Sequence, residues 1–236
     1  IKRVVYISSS GVYGSRPPIG RPLNEDDPTA PVLSGYVAKR LGEIICEEYN
    51  ELYDLDCLTL RYGGQVYGPR LFRVRSGMDT HFKDLPFYPI IDLFEQGALG
   101  KACTVSKQDI MKPMLSLKDC GRAAYMALTS TTIEHRLFNT SGILHSNRQI
   151  AELVKKYAGC TVTYEEAQKS GSELSSNWKY AADFAKSKDA FGKYAFDFSR
   201  AKAEFGWEPI YDIEEAVLDW VNYQRRIVGM EPVQSN

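Results

Sequence analysis

Residues 3–14 carry the strongest structural signal in the chain and read Arg3-Val4-Val5-Tyr6-Ile7-Ser8-Ser9-Ser10-Gly11-Val12-Tyr13-Gly14. The short apolar run from Arg3 to Ile7 is typical of a strand that is covered on both faces in a parallel sheet. Such strands have neighbours within the sheet and are seldom found at a chain terminus. We therefore expect a preceding segment of the fold to be missing from this chain.

The residues that follow predict an alternation of strand, helix and strand. A proline-rich and acidic loop covers residues 15–34, and a helix is predicted from Tyr36 to Tyr53. Its apolar residues recur at helical spacing, and we expect this stripe to pack on the sheet. The stripe consists of Leu41, Ile44, Ile45, Tyr49 and Leu52. With a second buried strand at Asp56–Tyr62, the order is typical of a parallel, doubly wound α/β sheet.

The rest of the chain predicts shorter elements. Asp119 is the expected N-cap of a helix that ends at Thr129, and Ser199 is the expected cap of a short helix that Gly206 ends in a left-handed conformation. Residues 71–107 give no clear pattern. The other predicted elements are a strand at Leu137–Thr140, a helix that begins at Asn147 and a strand at Thr161–Tyr164.

Composition favours a protein that acts on small molecules. The 236 residues are 44% apolar and 25% charged, with a net charge of −1, so no positive field indicates nucleic acid or an anionic membrane. No apolar run is long enough for a membrane span, which predicts a soluble, cytoplasmic protein. The five cysteines include no Cys-x-x-Cys pair and the three histidines are scattered, so we expect reduced thiols and no metal site.

Several short motifs, taken in chain order, resemble the extended short-chain dehydrogenase/reductases, the nicotinamide-dependent family of sugar-nucleotide epimerases and dehydratases. Each motif alone is weak, but their order and spacing make coincidence improbable. Besides the first strand and the Tyr/Lys helix, the motifs are Arg61-Tyr62 with Val66-Tyr67-Gly68-Pro69, Leu117-Lys118-Asp119, Phe138-Asn139-Thr140-Ser141-Gly142, and residues 197–209.

The resemblance implies a division of the chain. Residues 1–70 would form the second half of a Rossmann-type domain, including the active-site strand and helix. Residues 71–236 would mainly form a smaller α+β substrate-binding lobe, from which residues 115–145 return to the Rossmann sheet. In this family the segment that carries the glycine fingerprint of the cofactor site precedes the first strand.

The resemblance also implies catalytic residues. Ser9 corresponds to the active-site serine or threonine, and Tyr36 to the general acid/base, whose phenol must become more acidic to exchange protons near neutral pH. A nearby ammonium supplies that effect in the family, four residues after the tyrosine. Here Lys39 is three residues after Tyr36, the fourth position is Arg40, and counting back four from Lys39 reaches Gly35.

Binding residues follow from the same resemblance. The expected contacts of NAD or NADP are Tyr36, Lys39, Tyr62 and Gly63, and the expected substrate contacts are Ser10, Gly11, Arg70 and Lys112. Arg70 and Lys112 are the candidates for a substrate phosphate, although lysine lacks the planar fork of arginine. Ser10-Gly11 replaces the Asp-Glu pair of the dehydratases, which disfavours dehydration.

Two functions remain open from the sequence. The first is an NAD(P)-dependent epimerase or reductase, an isomerase or oxidoreductase that acts on a sugar nucleotide or a similar polar carbonyl or hydroxyl compound, expected as a homodimer. The second is a catalytically inactive or repurposed scaffold of the same fold, or an RNA-binding subunit. The altered Tyr/Lys spacing favours the second function, whereas Ser9, Tyr36, a nearby lysine and the closing motifs favour the first.

Overall fold

A computed structural model of the chain describes residues 1–14, 21–68, 93–107, 109, 111–165 and 195–234. The chain divides into two compact units. The first unit comprises Ile1–Tyr67, Lys112–Leu144 and Ser187–Tyr211, and the second comprises Gly68–Met111, His145–Lys186 and Asp212–Asn236. The assignment of cofactor and substrate binding to separate lobes stays a prediction.

Strands and helices alternate along much of the described chain. The strands are β1 (Arg3–Ser9), β2 (Asp56–Gly63), β3 (Gln65–Tyr67), β4 (Cys103–Ser106), β5 (Met111–Ser116), β6 (Leu137–Ser141), β7 (Ile143–Ser146) and β8 (Val162–Glu165). The helices are α1 (Ser34–Tyr53), α2 (Leu117–Thr129), α3 (Asn147–Ala158), α4 (Ser199–Phe205) and α5 (Ile213–Ile227). None of the helices in the described ranges is long and apolar enough to cross a membrane.

The first unit is built on a parallel sheet with strand order β1-β2-β6. Ser9 is opposite Tyr62, and Tyr62 is opposite Thr140, so the carboxyl ends of the three strands meet at one edge. This confirms the predicted parallel arrangement. In such sheets, ligands bind outside the carboxyl ends of the strands. A second parallel pair in this unit joins β3 to β5.

One face of the sheet is covered by α2 and by the segment from α4 to Trp207. Leu58, Leu60 and Phe138 of the strands form the core with Ala123 and Trp207, and none of these five side chains is exposed. Phe138 also meets Phe205 edge to face at 5.0 Å between ring centroids. Burial of this apolar surface is the main force that holds these elements together.

Helix α1 lies on the sheet with the face opposite to the one that we predicted. Leu41, Ile45 and Leu52 are 56%, 52% and 66% exposed, whereas Glu43 is only 1% exposed. On the inner face, the Asn50 side chain exchanges two hydrogen bonds with the backbone of Cys57. The predicted helical period was correct, but the side of α1 that faces the sheet is polar. Its polar groups can be buried because they have hydrogen-bond partners on the sheet, which the period of the apolar residues does not reveal.

Two of the predicted helix caps were wrong, and one helix end was correct. Ser116 caps α2 by accepting a hydrogen bond from the Lys118 amide at 3.2 Å, so Asp119 lies in the first turn and not at the cap. The Ser199 side chain does not cap α4, although the Ser199 amide donates to Asp197. Gly206 ends α4 with φ of 71°, as predicted.

The buried carboxylate of Asp119 instead joins two distant parts of the first unit. It accepts hydrogen bonds from the amides of Ile210 at 3.3 Å and Tyr211 at 3.2 Å, and from the Arg122 guanidinium at 2.6 Å. The Asp119 carbonyl oxygen also accepts from the Trp207 indole at 3.1 Å. The Leu-Lys-Asp and closing Gly-Trp motifs of the sequence are therefore two sides of one structural contact.

The described part of the second unit includes a parallel pair of strands and the helices α3 and α5. Strand β4 pairs with β8, and neither β4 nor the long helix α5 was expected from the sequence. Phe94 stacks on Trp220 with their ring centroids 4.0 Å apart and an angle of 4° between the rings. Glu214 at the start of α5 accepts hydrogen bonds from Lys156 and Tyr157 of α3.

Candidate active site

Ser9 ends β1 at the carboxyl edge of the sheet. Its hydroxyl oxygen accepts a hydrogen bond from the Gly11 amide at 3.1 Å, which starts a single 3₁₀ turn over Ser10–Tyr13. The Ser10 hydroxyl accepts from the Gly64 amide at 3.2 Å. Because a hydroxyl can accept and donate at once, Ser9 keeps a proton with which it can bind a substrate oxygen.

Tyr36 lies directly on this turn. A Cβ atom placed on Gly11 would be 2.5 Å from Cζ of the Tyr36 ring, a distance that real Cβ atoms do not reach. The ring therefore rests on the backbone of Gly11, and glycine is required for this approach. The structure brings Ser9 and Tyr36 together through Gly11, and their catalytic roles stay a prediction. Burial raises the pKa of the Tyr36 phenol, because the charged phenolate is poorly solvated there.

Lys39 reaches β1 from the inner face of α1. Its ammonium donates a hydrogen bond to the Ile7 carbonyl oxygen at 2.7 Å and lies 5.4 Å from the ring centroid of Tyr6. Arg40 instead pairs with Glu43 and with the exposed Glu47. Of the two cations that follow Tyr36, Lys39 is thus the one that lies against the active-site strand.

The position four residues before Lys39 is open. No described atom lies within 4 Å of a Cβ atom built on Gly35. A side chain at position 35 would therefore face open space among the described residues, and the phenol of α1 that contacts Gly11 comes from Tyr36. The Lys39 ammonium contacts β1, and burial accounts for the raised pKa of Tyr36.

Tyr62 and Gly63 end β2 beside this turn. The Tyr62 hydroxyl donates a hydrogen bond to the Cys120 carbonyl oxygen at 2.7 Å, and burial raises the pKa of this phenol. A Cβ atom on Gly63 would be 2.6 Å from Cβ of Ser141, so glycine allows β2 and β6 to close together at this edge. The Tyr62 ring helps to hold α2 to the sheet, and its backbone borders the carboxyl edge.

Lys112 is a buried lysine of β5. It is 7% exposed, and within the described part of the chain no acidic side chain forms an ion pair with it. Burial lowers the pKa of its ammonium from 10.5 to about 8. A buried cation that has no anionic partner among the described residues fits the binding of an anion. The other candidate phosphate contact, Arg70, lies outside the described residues.

Sequence reasoning missed a buried polar network beside these residues. Glu43, Arg61 and Ser8 come from α1, β2 and β1, and all three side chains are almost completely buried. The available signals were an arginine within an apolar strand and a glutamate one turn after Lys39. Among the described residues, no group of three or more His, Cys, Asp or Glu side chains could hold a metal ion.

Comparisons with known proteins identify the family. A family model described as GDP-mannose 4,6 dehydratase matches residues 1–220. The UDP-glucose 4-epimerase of Mycolicibacterium smegmatis is 41% identical over 71 residues, which make up 30% of this chain and 22% of that protein. The local identity supports the family but covers a small part of each protein.

Solved structures with low identity share the fold. UDP-glucose 4-epimerase from Thermotoga maritima, with UDP-glucose, matches with a TM-score of 0.69 and 22% identity over 97% of this chain and 65% of that chain. UDP-glucuronic acid 4-epimerase from Bacillus cereus, with UDP-glucuronic acid and NAD, matches with a TM-score of 0.66 and 20% identity. That match covers 95% of this chain and 62% of the other chain. This chain therefore spans less than two thirds of either structure.

These matches confirm the predicted Rossmann-type α/β fold, and NAD is the cofactor bound in the structure from Bacillus cereus. At such identities the structures show the fold alone, whereas the family model covers nearly the whole chain. The protein belongs to the GDP-mannose 4,6-dehydratase family of extended short-chain dehydrogenases/reductases.

Proposed function

We propose that this protein is an NAD(P)-dependent epimerase or reductase that acts on a hydroxyl or carbonyl carbon of a sugar nucleotide or a similar polar compound. The observation that carries the proposal is the single turn after β1, where the Ser9 hydroxyl and the Tyr36 ring meet around Gly11. A phenol and a hydroxyl at the carboxyl edge of a parallel sheet suit proton exchange with a substrate oxygen.

Tyr36 is the proposed general acid/base and Ser9 the proposed hydrogen-bond partner of the reacting oxygen. Burial keeps the Tyr36 phenol protonated near neutral pH, so by itself it is prepared to donate a proton, as carbonyl reduction requires. Removal of a proton from a substrate hydroxyl requires positive charge near the phenolate. Lys39 is the candidate for that charge.

Lys39 also fits a nicotinamide cofactor. An ammonium has three donors, and the described structure uses one of them on the neutral Ile7 carbonyl oxygen. The remaining donors suit ribose hydroxyls, and the backbone of Tyr62 and Gly63 borders the same edge of the sheet. When it is bound, NAD or NADP would accept and return the hydride. Lys39 and Tyr36 would hold the cofactor, while Tyr36 exchanges the proton.

A phosphate-bearing substrate agrees with the buried charge of Lys112. Its ammonium loses solvation and gains no ion pair among the described residues, so a substrate phosphate would supply the missing anion. Ser10, Gly11 and Arg70 complete the proposed substrate contacts. The two structural relatives named above bind UDP-glucose and UDP-glucuronic acid, which supports a sugar nucleotide as the first substrate to test.

A second candidate function has one observation in its favour. Tyr36 and Lys39 are three residues apart, and the position four before Lys39 is Gly35, which faces open space within the described structure. The protein would then be a repurposed scaffold of the same fold, or an RNA-binding subunit. The net charge of −1 argues against RNA.

Turnover of UDP-glucose and UDP-glucuronic acid with NAD or NADP tests the first function. Tyr36→Phe keeps the ring on Gly11 and removes the proton, so turnover should fall by about 10² to 10⁴ with little change in melting temperature. Tyr49→Phe, on the exposed side of α1, is the matched control. Unchanged turnover in Tyr36→Phe would assign Tyr36 to packing, whereas a wild type that converts none of these substrates would support the scaffold.

The homodimer and the cytoplasmic location are further proposals. The exposed apolar face of α1 supports the dimer, since a surface stripe of this kind is typical of a protein–protein interface. It consists of Val37, Leu41, Ile44, Ile45 and Leu52. Analytical ultracentrifugation of wild type and Leu41→Glu should give a dimer and a monomer, and a monomeric wild type would contradict the proposal.

A further inference from the structure

The carboxylate of Glu43 is the centre of a buried network between three elements. One oxygen, Oε1, accepts hydrogen bonds from the Ser8 hydroxyl at 2.5 Å and from Nε of Arg61 at 2.9 Å. The other oxygen accepts from a terminal nitrogen of Arg61 at 2.8 Å and from Arg40 at 3.2 Å. Glu43, Arg61 and Ser8 are 1%, 2% and 3% exposed, so these bonds form away from water. The pair is bidentate and charge-assisted, which is the strongest common form of side-chain hydrogen bonding.

Arg61 continues the network to the other end of the active-site turn. Its second terminal nitrogen donates to the Tyr13 hydroxyl at 2.9 Å, and the guanidinium lies 4.7 Å from the centroid of that ring. The Tyr13 hydroxyl in turn donates to Oδ1 of Asn139 at 2.8 Å. Ser8 and Tyr13 are the residues that bracket Ser9 to Val12. The Glu43–Arg61 pair therefore holds both ends of the segment that carries Ser9 and Gly11.

Glu43 also supports the helix face that carries the other candidate residues. Tyr36, Lys39 and Glu43 follow one another at spacings of three and four, which places them on one face of α1. Tyr36 contacts Gly11, Lys39 contacts Ile7 and Glu43 contacts Ser8. Three successive contacts along this face thus meet the end of β1 and the turn after it.

A buried ion pair of this kind is weak evidence for stability. The loss of solvation of two charges offsets much of their attraction, and apolar residues of similar volume often stabilise a fold as well or better. The pair instead fixes the relative orientation of the two elements that carry it, because a planar guanidinium and a carboxylate bind each other in few geometries. In this structure, that orientation sets α1 against the Ser9 turn.

We propose that Glu43 is a positioning residue, which through Ser8 and Arg61 holds the Ser9–Gly11 turn under the ring of Tyr36. Its effect on catalysis rests on the proposed function, whereas its effect on geometry does not. Displacement of reacting groups by about 1 Å is sufficient to slow an enzyme by about 10²-fold. Glu43 would therefore affect turnover without contact to substrate or cofactor.

The test measures geometry and turnover separately in the whole protein. The ring of Tyr36 should shift the NMR resonances of the Gly11 Hα atoms, since the two groups are in contact. Glu43→Gln keeps the size of the side chain and places an amide nitrogen against either Ser8 or Arg61, and Ser8→Ala removes one arm of the network. Glu47→Gln, one turn further along α1 and exposed, is the matched control.

We expect Glu43→Gln and Ser8→Ala to reduce the ring-current shift of Gly11, and Glu47→Gln to leave it unchanged. With a sugar-nucleotide substrate, kcat should fall about tenfold to 100-fold in Glu43→Gln with little change in KM. A Gly11 shift that stays unchanged while the melting temperature falls would overturn the proposal and make the network purely structural.

The remaining outcomes are also distinct. If Glu43→Gln fails to fold, Ser8→Ala decides the matter, since it removes only one hydrogen bond, and an unchanged Gly11 shift in that variant overturns the proposal. If the Gly11 shift moves as expected but the wild type converts none of the substrates, the positioning of the turn is supported and the proposed enzymatic function fails.

Discussion

The Lys39 ammonium donates a hydrogen bond to the carbonyl oxygen of Ile7 at 2.7 Å, two residues before Ser9. This contact shows that Lys39, and not the adjacent Arg40, is the cation of α1 that lies against β1. Arg40 points to Glu43 and Glu47 at the edge of the helix, so its charge is already paired. The three-residue spacing between Tyr36 and Lys39 therefore still brings both side chains to β1 and the turn that follows it.

The first prediction separates Lys39 from Arg40. Lys39→Met should weaken NAD binding and move the pH–rate profile to higher pH, since it removes the candidate positive charge that the proposed base requires. Arg40→Met should change both quantities much less, because the partly exposed Arg40 guanidinium pairs with Glu43 and Glu47, whereas the Lys39 ammonium bonds to β1 itself. Calorimetric titration with NAD and the pH dependence of turnover are the two measurements. If Arg40→Met, and not Lys39→Met, weakened NAD binding and shifted the pH–rate profile, Arg40 would be the cation that assists the proposed base.

The second prediction concerns the same substitution at two glycines of the Tyr36 region. Gly11→Ala places a Cβ atom against the Tyr36 ring, so it should destabilise the fold by about 1–3 kcal/mol and reduce turnover. Gly35→Ala meets no described atom and lies in α1, so it should be neutral or stabilise by up to about 1 kcal/mol. Urea denaturation measures both values, and equal effects would contradict the Gly11–Tyr36 contact.

The third prediction uses the buried charge of Lys112. Its pKa is lowered from 10.5 to about 8, so between these pH values the folded chain binds fewer protons than the unfolded chain. Stability should therefore rise with pH through this window, and the full penalty applies below pH 8. Lys112→Met should stabilise the protein at pH 7 by on the order of 3 kcal/mol.

The control for Lys112→Met is Lys2→Met, at an exposed position. Urea denaturation at pH 7 and at pH 10 should show a gain for Lys112→Met that shrinks at the higher pH, and no gain for Lys2→Met. The same Lys112→Met variant should bind UDP more weakly if Lys112 holds a phosphate. A variant that is destabilised at pH 7 would show that the ammonium has an anionic partner in the folded protein.

The fourth prediction compares a buried carboxylate with an exposed one. Asp119→Asn loses charge-assisted bonds to Arg122 and to two backbone amides, so the free energy of unfolding should fall by about 2–4 kcal/mol. Asp26→Asn, at a side chain that is 75% exposed and paired with Arg200, should cost less than about 1 kcal/mol. Thermal unfolding that is equally affected by both substitutions would contradict the structural role of Asp119.

The prediction of local elements succeeded where the signal is local. Strand β2 and helix α1 begin and end within two residues of the predicted limits, and Gly206 ends α4 as expected. Helical period, turn residues and a left-handed glycine act over a few neighbouring positions, so they are visible in the sequence. Strands β4 and β5 were not predicted, and both are stabilised by pairing with strands that are distant in the chain.

The buried face of α1 could not be predicted from the local sequence. Its apolar residues predicted the correct period but the wrong inner face, and Leu41 and Leu52 remain exposed. Glu43 is buried because Arg61, 18 residues later, is buried with it. No window along α1 contains that partner. The choice of face therefore depended on a contact between α1 and β2, which periodicity cannot represent.

The sequence by itself determined the family, the parallel α/β fold and the candidates Ser9 and Tyr36, because these depend on residue order and short spacings. The tertiary structure alone decided that Tyr36 rests on Gly11, that Lys39 and not Arg40 faces β1, and that Lys112 is buried. Each of these features depends on contacts between groups from separate elements, which are close in the folded protein but distant along the chain.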